Sequence, residues 1–332
     1  MTCSWLVPVG KLKRNSGALF ALLLFIMLCY SVFRDGNCFL DYGSYAASVR
    51  DDIEIGEPIF VAIVWFVKYC LSAEPLCLFA IYGVLSLYLK GMAICSLTAL
   101  PFFSLLIFCS DFFVLHELTQ MRAGLATGIM LLSIPSIYNR NRFRFCCYTV
   151  LAAMAHLSGL LMIPLWFLNG KQIRTLPWII ILCILYAIAL VGIDFVTILS
   201  YIPVQSIQNK YEFYTALNEF GDYKANIFSL LFIGKTLITL TLLMFHRLLV
   251  RNNKYGILFL KIMLLSLYAL LMFSQNMAAG LRISEFYGVV CILLFPMIYY
   301  LIKPKVIAKL SISLIALVLF YVRIFSQQLI LG

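Results

Sequence analysis

The feature that most constrains this chain is a succession of long apolar runs, at about 17–33, 75–89, 91–110, 122–138, 177–199, 227–245, 256–275, 286–302 and 306–325, parted by short polar connections. Runs of roughly 20 residues match the hydrocarbon thickness of a bilayer when helical. Lipid offers backbone amides no partners, so each run must be a helix or part of a closed barrel, and the lack of alternation selects helices. With 64% of residues hydrophobic and 12% charged, no soluble core could absorb the apolar surface. The expected fold is therefore all-α: a polytopic membrane helical bundle, forming a single integral membrane domain over residues 1–332.

A net charge of +11 would suit nucleic acid, but the basic residues are scattered among short connections rather than gathered on one face. The positive-inside rule produces the same pattern, and no nucleic-acid partner is expected. Lys11, Lys13 and Arg14 precede the first run and no small-residue cleavage site follows it, so this run reads as a retained signal anchor. The cysteines show no disulfide framework: Cys29, Cys95, Cys109, Cys183 and Cys291 sit inside apolar runs, and Cys38 is the one clear loop thiol on the acidic side. His116, His156 and His246 lie in different segments without ligand spacing, so no metal centre is expected.

Two apolar segments do not read as simple crossings. Residues 58–71 are short and contain Lys68; counted as a crossing, they would throw Arg140, Arg142 and Arg144 to the outside. Read instead as an amphipathic interfacial helix, they leave the connections carrying Lys90, those three arginines, Arg247, Arg251, Lys254, Lys303, Lys305 and Lys309 all cytoplasmic. Residues 145–168 have basic groups at both ends, Arg144 and then Lys171 and Arg174. They are expected to enter and return as two half-helices meeting near 156–159. Non-helical backbone at such a depth needs protein or a wet cavity around it, so a tip holding His156 and Ser158 points to a cavity. This gives about eleven membrane-entering segments. Every acidic residue then falls on the outer side or toward an outer end, with outer loops at about 34–74, 111–121, 200–226 and 276–285 carrying the polar machinery.

Within those outer segments several constellations can carry chemistry. Asp41 and Tyr45 share a helical face at i, i+4, as a carboxylate that can serve as base beside a phenol, or as a solvated loop with tyrosine anchors. Glu57 precedes Pro58 at a helix start, where capping alone explains a carboxylate and a functional role is the alternative. His116, Glu117, Gln120 and Arg122 gather at one span's outer end, followed by the small residues Ala123, Gly124 and Ala126. An arginine there calls for a partner, an acidic side chain or, favoured slightly, a phosphate. Arg282 and Glu285 form a further cluster that can also simply pair at i, i+3. Lys235, in mid-span, needs a partner such as Asp194 or a wet cavity.

The ordered set of Phe33-Arg34, DYGSY at 41–45, EPIF at 57–60, QMRAGLA at 120–126, AAMAHLSGLLMIPLWF at 152–167 and the late Arg282 cluster resembles the EpsG/Wzy-type polysaccharide polymerases of bacteria, which include O-antigen polymerases. The likeness runs through most of the chain. The layout also looks like the GT-C glycosyltransferase plan, with an acidic residue after the first span, juxtamembrane helices next, and a later segment that dips in and returns. The resemblance implies polymerisation of undecaprenyl-diphosphate-linked repeat units on the periplasmic face of the bacterial inner membrane. Donor and acceptor lipid-linked glycans, the bilayer and a chain-length regulator protein are the implied partners, and no cofactor is implied. It also implies a base among Asp35, Asp41 and His156, with Arg34, Arg122 and Arg282 stabilising the leaving diphosphate and Tyr42, Tyr45, Glu57, Gln120 and Glu285 among the substrate-binding groups. A rival of another class is a flippase or transporter for the same lipids, which should expose polar residues to both sides in turn, whereas here they lie on one side. Another GT-C-type glycosyltransferase or a ligase fits the same residues.

The charge asymmetry predicts a cytoplasmic N-terminus and a periplasmic C-terminus. A reporter fused after Tyr214 should read periplasmic and one fused after Asn252 cytoplasmic; inversion at either point would overturn the topology.

Overall fold

A computed structural model describes residues 14–36, 38–39, 41–51, 56–71, 73–195 and 224–326. Among these residues every regular element is helical, as lipid solvent demands. Residues 200–223 of the expected outer segment 200–226, with Glu212, Tyr214, Glu219 and Asp222, lie outside the described residues, as do Asp52 and Glu54. By its contacts the chain divides into two compact units, Met1–Leu168 with Cys291–Gly332 and Asn169–Val290.

The first unit opens with α1 (Arg14–Val32), the short helices α2 (Tyr42–Arg50) and α3 (Pro58–Cys70), then α4 (Pro75–Leu97), which packs on α1 and on α6. Helix α5 (Pro101–Phe112) runs on as a π-helical turn, Phe113–Thr119, and α6 (Met121–Tyr138) follows. Proline opens α3, α4 and α5, at the first turn where its missing N–H is an orphan anyway. Helix α3 has 13 residues, about 20 Å of rise, too short to cross. Phe60, Val64 and Val67 form its packed face, while Val61, Trp65, Phe66 and Tyr69 are exposed. Its outer face is thus apolar and aromatic rather than polar, so the helix departs from simple amphipathicity while suiting a lipid interface.

Two expectations at α4 and α5 need correction. Lys90 was placed in a connection between two spans; Pro75–Leu97 is a single 23-residue helix, and the break comes at residues 98–100. Lys90 is fully buried, with its ammonium on the Glu117 carboxylate and 3.0 Å from Ser86 Oγ, which itself donates to Glu117 at 3.0 Å. In the sequence this mid-helix lysine looks like a loop residue because its partner lies 27 positions away. Residues 111–121, expected as an outer loop, are the end of α5 and a fully buried π-helical turn.

Helix α7 (Arg142–Ala155) ends at His156, whose φ −160° and ψ 140° are extended, and a 3₁₀ helix, Leu157–Phe167, packs back along it. Fourteen residues at the α rise span about 21 Å and eleven at the 3₁₀ rise about 22 Å, so the two arms match in length. Arg140 closes the base through the carbonyls of Trp166 and, at 2.8 Å, Leu168. Segment 145–168 is therefore a hairpin with His156 at its tip.

In the second unit, α8 (Thr175–Val191) ends on Gly192 at φ 84°, a left-handed cap. Helix α9 (Leu230–Met244) bends by 77° into α10 (His246–Asn252), and α11 (Gly256–Met272) packs on α8, α9, α10 and α12 (Met277–Gly288). Lys261 on α11 is buried and donates to the carbonyls of Asn169 and Gln172 at 2.7 and 2.8 Å. Lys235 is buried on α9. Most of 276–285, expected as a loop, is helix α12, capped where Asn276 accepts from the Ala279 amide at 3.0 Å. The chain re-enters the first unit as α13 (Cys291–Leu294), a 3₁₀ turn, α14 (Lys305–Tyr321) and a π-helical turn holding Arg323. Arg323 is buried against Asp111 of α5 at 2.6 Å, and Cys291 donates to the same carboxylate at 3.5 Å.

Among the described residues six helices are long and apolar enough to cross a membrane, or seven if the bent α9–α10 pair is one span. Helices α8 and α11, of 17 residues each, reach about 26 Å and approach a crossing. This is a multi-pass membrane protein.

Lys90 and Glu117 give a direct test of the packing. Lys90→Met strands a buried carboxylate and should cost about 3–5 kcal/mol, whereas Lys90→Met with Glu117→Leu should be clearly milder. Thermal denaturation in detergent measures both; equal loss in the single and double variants would refute the pairing.

Candidate functional site

The site grows from four helix ends brought to one place in the first unit. Glu57 stands in extended conformation immediately before Pro58, so its side chain leaves the start of α3 rather than lying along it. The turn through Gln120, whose amide donates to Leu115 and whose carbonyl accepts from Gly124, starts α6 and sets Arg122 on its first turn. The hairpin tip supplies His156 and α2 supplies Tyr45.

Glu57 divides its two oxygens. Oε1 accepts from His156 Nδ1 at 2.7 Å and from the Leu157 amide at 3.4 Å, and Oε2 accepts from Arg122 at 2.7 Å. Because a carboxylate only accepts, the Nδ1 facing it must carry the hydrogen, which leaves Nε2 of a neutral His156 as a lone pair. Among the described residues Nε2 has no hydrogen-bond partner. The Arg122 guanidinium lies 4.8 Å from the ring centre of Phe60 and 5.5 Å from that of Tyr45. Tyr82 of α4 is 6.3 Å from Phe60, ring to ring, and its buried hydroxyl has no partner; the same holds for Ser158 Oγ and Arg122 Nε. Tyr82 lies about 10 Å along α4 from Pro75, so the site sits part-way along that helix rather than at its end.

Burial opposes ionisation of Glu57, but the hydrogen bond from His156 and the charge of Arg122 outweigh it and hold the carboxyl at about 2. A depressed pKa means that the carboxylate's stabilising contribution is complete above about 4.5 and is lost only as the pH falls toward about 2. Glu57 is therefore an anion at neutral pH and a poor proton acceptor. Burial also pushes the Tyr45 phenol up, against the pull of Arg122, so Tyr45 serves as a neutral hydroxyl.

The sequence model of the EpsG family matches residues 17–330, nearly the whole length. The chain belongs to the EpsG family. No curated protein and no solved structure matches it. As an EpsG member it is a polysaccharide polymerase-like membrane protein.

Of the residues singled out in this EpsG chain, the structure unites Tyr45, Glu57, Arg122 and His156. Arg34 sits in an adjoining cluster: its guanidinium is buried 4.0 Å from the Phe79 ring centre and 5.9 Å from that of Tyr42, and it donates to the Glu117 carbonyl at 2.6 Å. Ser31 donates to the same carbonyl at 3.1 Å. Arg34 thus latches the π-helical turn that leads into Arg122, which is a different setting from an open phosphate site. Asp41 occupies the N-cap position of α2, half-buried, with its charge acting on Arg34 and Tyr45, and Asp35 is exposed. His116 is buried in the π-helical turn, 3.3 Å from Thr127 Oγ1. Arg282, exposed, and Glu285, half-buried, lie on α12 of the second unit.

The sequence calls for an acidic side chain or a phosphate beside Arg122; the partner is Glu57, and Glu117 serves Lys90. Phe60 and Tyr82 were missed as parts of the site, whereas Ser158, its hydroxyl unpartnered among the described residues, lies at the tip beside His156 as the sequence indicated. The only signal lay in EPIF and AHLSG, where a carboxylate and a histidine adjoin breaks in helical pattern.

Gly159 governs the tip. A Cβ there would lie 2.2 Å from the Ala152 carbonyl carbon of α7, so the hairpin could not stay closed. Gly159→Ala should destabilise the protein by about 1–3 kcal/mol, whereas Gly43→Ala, with nothing within 4 Å of its Cβ, should be neutral or slightly stabilising. Thermal shift in detergent compares them; an undisturbed Gly159→Ala protein would refute the close packing.

Proposed function

We propose that this protein polymerises undecaprenyl-diphosphate-linked oligosaccharide repeat units by glycosyl transfer at the Glu57–His156–Arg122 site, on the periplasmic face of the bacterial inner membrane. The observation that carries this reading is a histidine at a hairpin tip whose Nδ1 is held by a carboxylate, leaving Nε2 open, beside an arginine, in an EpsG-family chain.

In the proposed reaction a hydroxyl of one lipid-linked repeat unit gives its proton to His156 Nε2 while its oxygen attacks the anomeric carbon of the glycan on a second lipid. The bond from that carbon to the diphosphate oxygen breaks, and the electron pair leaves with undecaprenyl diphosphate. Arg122 meets the charge growing on the leaving diphosphate. Among the acidic candidates, Glu57 is a weak base and already engaged. Asp41 and Asp35 stand nearer Arg34's cluster or solvent, so His156 is the base in this scheme. Tyr45 serves as a hydroxyl and aromatic wall for the sugar. Tyr42, Gln120 and Arg34 are assigned to shaping the walls. A chain-length regulator is the proposed protein partner.

The test is surface-glycan length in cells carrying single variants, normalised to protein level in the membrane. His156→Ala should leave single-repeat glycan on the surface, a loss of roughly 100-fold or more in polymerisation. Arg122→Lys keeps a charge but loses the planar fork and should be impaired as well. Arg282→Lys is compared with the double change Arg282→Gln and Glu285→Gln, which should be tolerated if the two only pair. Loss of all surface glycan would point to a flippase or ligase, and full-length glycan in His156→Ala and Arg122→Lys would sink the assignment.

A further inference from the structure

The Glu57 carboxylate holds the two reacting ends of the site with unequal grip. On the hairpin side it takes two hydrogen bonds, from His156 Nδ1 at 2.7 Å and the Leu157 amide at 3.4 Å, both on Oε1. On the α6 side it takes one, from a single terminal nitrogen of Arg122 at 2.7 Å. A guanidinium offers five N–H donors in a planar fork and binds a free carboxylate or phosphate with two of them. Here the fork is denied its second oxygen, because that oxygen is committed to His156. Arg122 Nε is left without a partner, and 31% of the side chain remains open. Phe60 supports the guanidinium through its ring face and Tyr45 through its ring and a hydrogen bond with its hydroxyl, contacts that do not depend on Glu57. The arginine therefore has a preformed seat, an Nε donor without a partner among the described residues and a partly open side chain, and the anion now beside it is also bound to His156.

We infer that Glu57 is a positioning residue that keeps His156 oriented throughout and occupies Arg122 only until a diphosphate takes its place. The inference rests on the glycosyl-transfer reading and adds a sequence of contacts to it. In the empty site the carboxylate neutralises Arg122 and keeps the guanidinium in its seat. When the diphosphate enters, it offers paired oxygens to the fork, the one-point contact with Oε2 breaks, and Glu57 stays anchored to the tip by its two Oε1 contacts. His156 keeps its tautomer, with Nε2 facing the acceptor hydroxyl, at the moment the leaving group is bound. The other groups facing this contact are Tyr45 on α2, a neutral phenol, and Tyr82 on α4, whose unpartnered hydroxyl is a further donor for a diphosphate oxygen.

This arrangement makes binding and turnover respond to Glu57 in opposite directions, which a merely structural role would not do. The experiment uses the full-length protein in lipid nanodiscs, measuring binding of undecaprenyl diphosphate and, separately, inorganic pyrophosphate, alongside polymerisation of lipid-linked repeat units. Glu57→Gln removes the competing charge and should tighten diphosphate binding by at least about threefold. It should also lower kcat by roughly 100-fold or more, because an amide can no longer hold the imidazole as a carboxylate does. Glu57→Asp, which keeps the charge on a shorter arm, should recover part of kcat and return binding toward the wild-type value. Tightening for pyrophosphate as well as for the lipid would place the effect on the diphosphate itself; tightening for the lipid alone would place it on the prenyl chain and overturn the exchange. Weaker binding together with slower turnover in Glu57→Gln, or no change in either, would overturn the inference while leaving glycosyl transfer intact. A wild-type protein that neither binds the diphosphate nor extends the glycan would instead remove the underlying reading.

Discussion

One carboxylate, Glu57, ties together three segments that the chain separates by 65 and 99 positions, the start of α3, the start of α6 and the tip of the hairpin. Each of these is a place where helix stops. A proline begins α3, a non-helical residue separates the π-helical turn from α6, and an extended histidine divides α7 from its returning arm. In a chain whose solvent is lipid, such breaks leave backbone and side-chain polar groups that need partners. Their convergence lets one anion satisfy a histidine, a backbone amide and an arginine at once. The candidate site and the packing of the unit around it therefore rest on the same contacts.

The surrounding structure solves the same problem repeatedly. Lys90 and Glu117 are buried as a pair with Ser86, and Asp111 and Arg323 as a pair with Cys291. The π-helical turn between α5 and α6 presents the Glu117 carbonyl sideways, and Arg34 and Ser31 take it up. π-Helical turns occur often at functional sites, and here the turn delivers the chain to Arg122. Gly124 packs with its missing Cβ 2.9 Å from the His116 carbonyl, so the turn and α6 lie against each other as closely as backbone allows. The loop-like distribution of charge in the sequence thus conceals a set of internal ties that hold α4, α5 and α6 in register.

Apolar run length and the spread of basic residues made the membrane class and most helices legible, and the matched charges at Arg144 and Lys171 exposed the hairpin at 145–168. Legibility failed where a charge was internally satisfied. Lys90 looked like a loop marker because hydropathy counts a lysine as polar wherever it stands, and only Glu117 makes it a buried residue. The same limit hid the site. Glu57, Arg122 and His156 were each suspected singly, on local grounds of capping, small neighbours and a broken helix, but nothing in their spacing links them. Tyr82 and Phe60 are ordinary aromatics of apolar helices until the structure sets them beside Arg122.

The sequence by itself determined that this is an all-helical membrane protein of the EpsG family, because composition, run length and ordered motifs are properties of the chain alone. Tertiary structure decided which charges meet. It assigned Glu57 rather than Glu117 to Arg122, gave Glu117 to Lys90 and Asp111 to Arg323, and made Arg34 a latch on the π-helical turn. The physical reason is that the strength of a charge contact falls with distance in space and carries no trace of separation in sequence. Helical periodicity relates residues up to a turn or two apart, whereas a carboxylate shared between a hairpin tip and a distant helix exists only once the helices have packed.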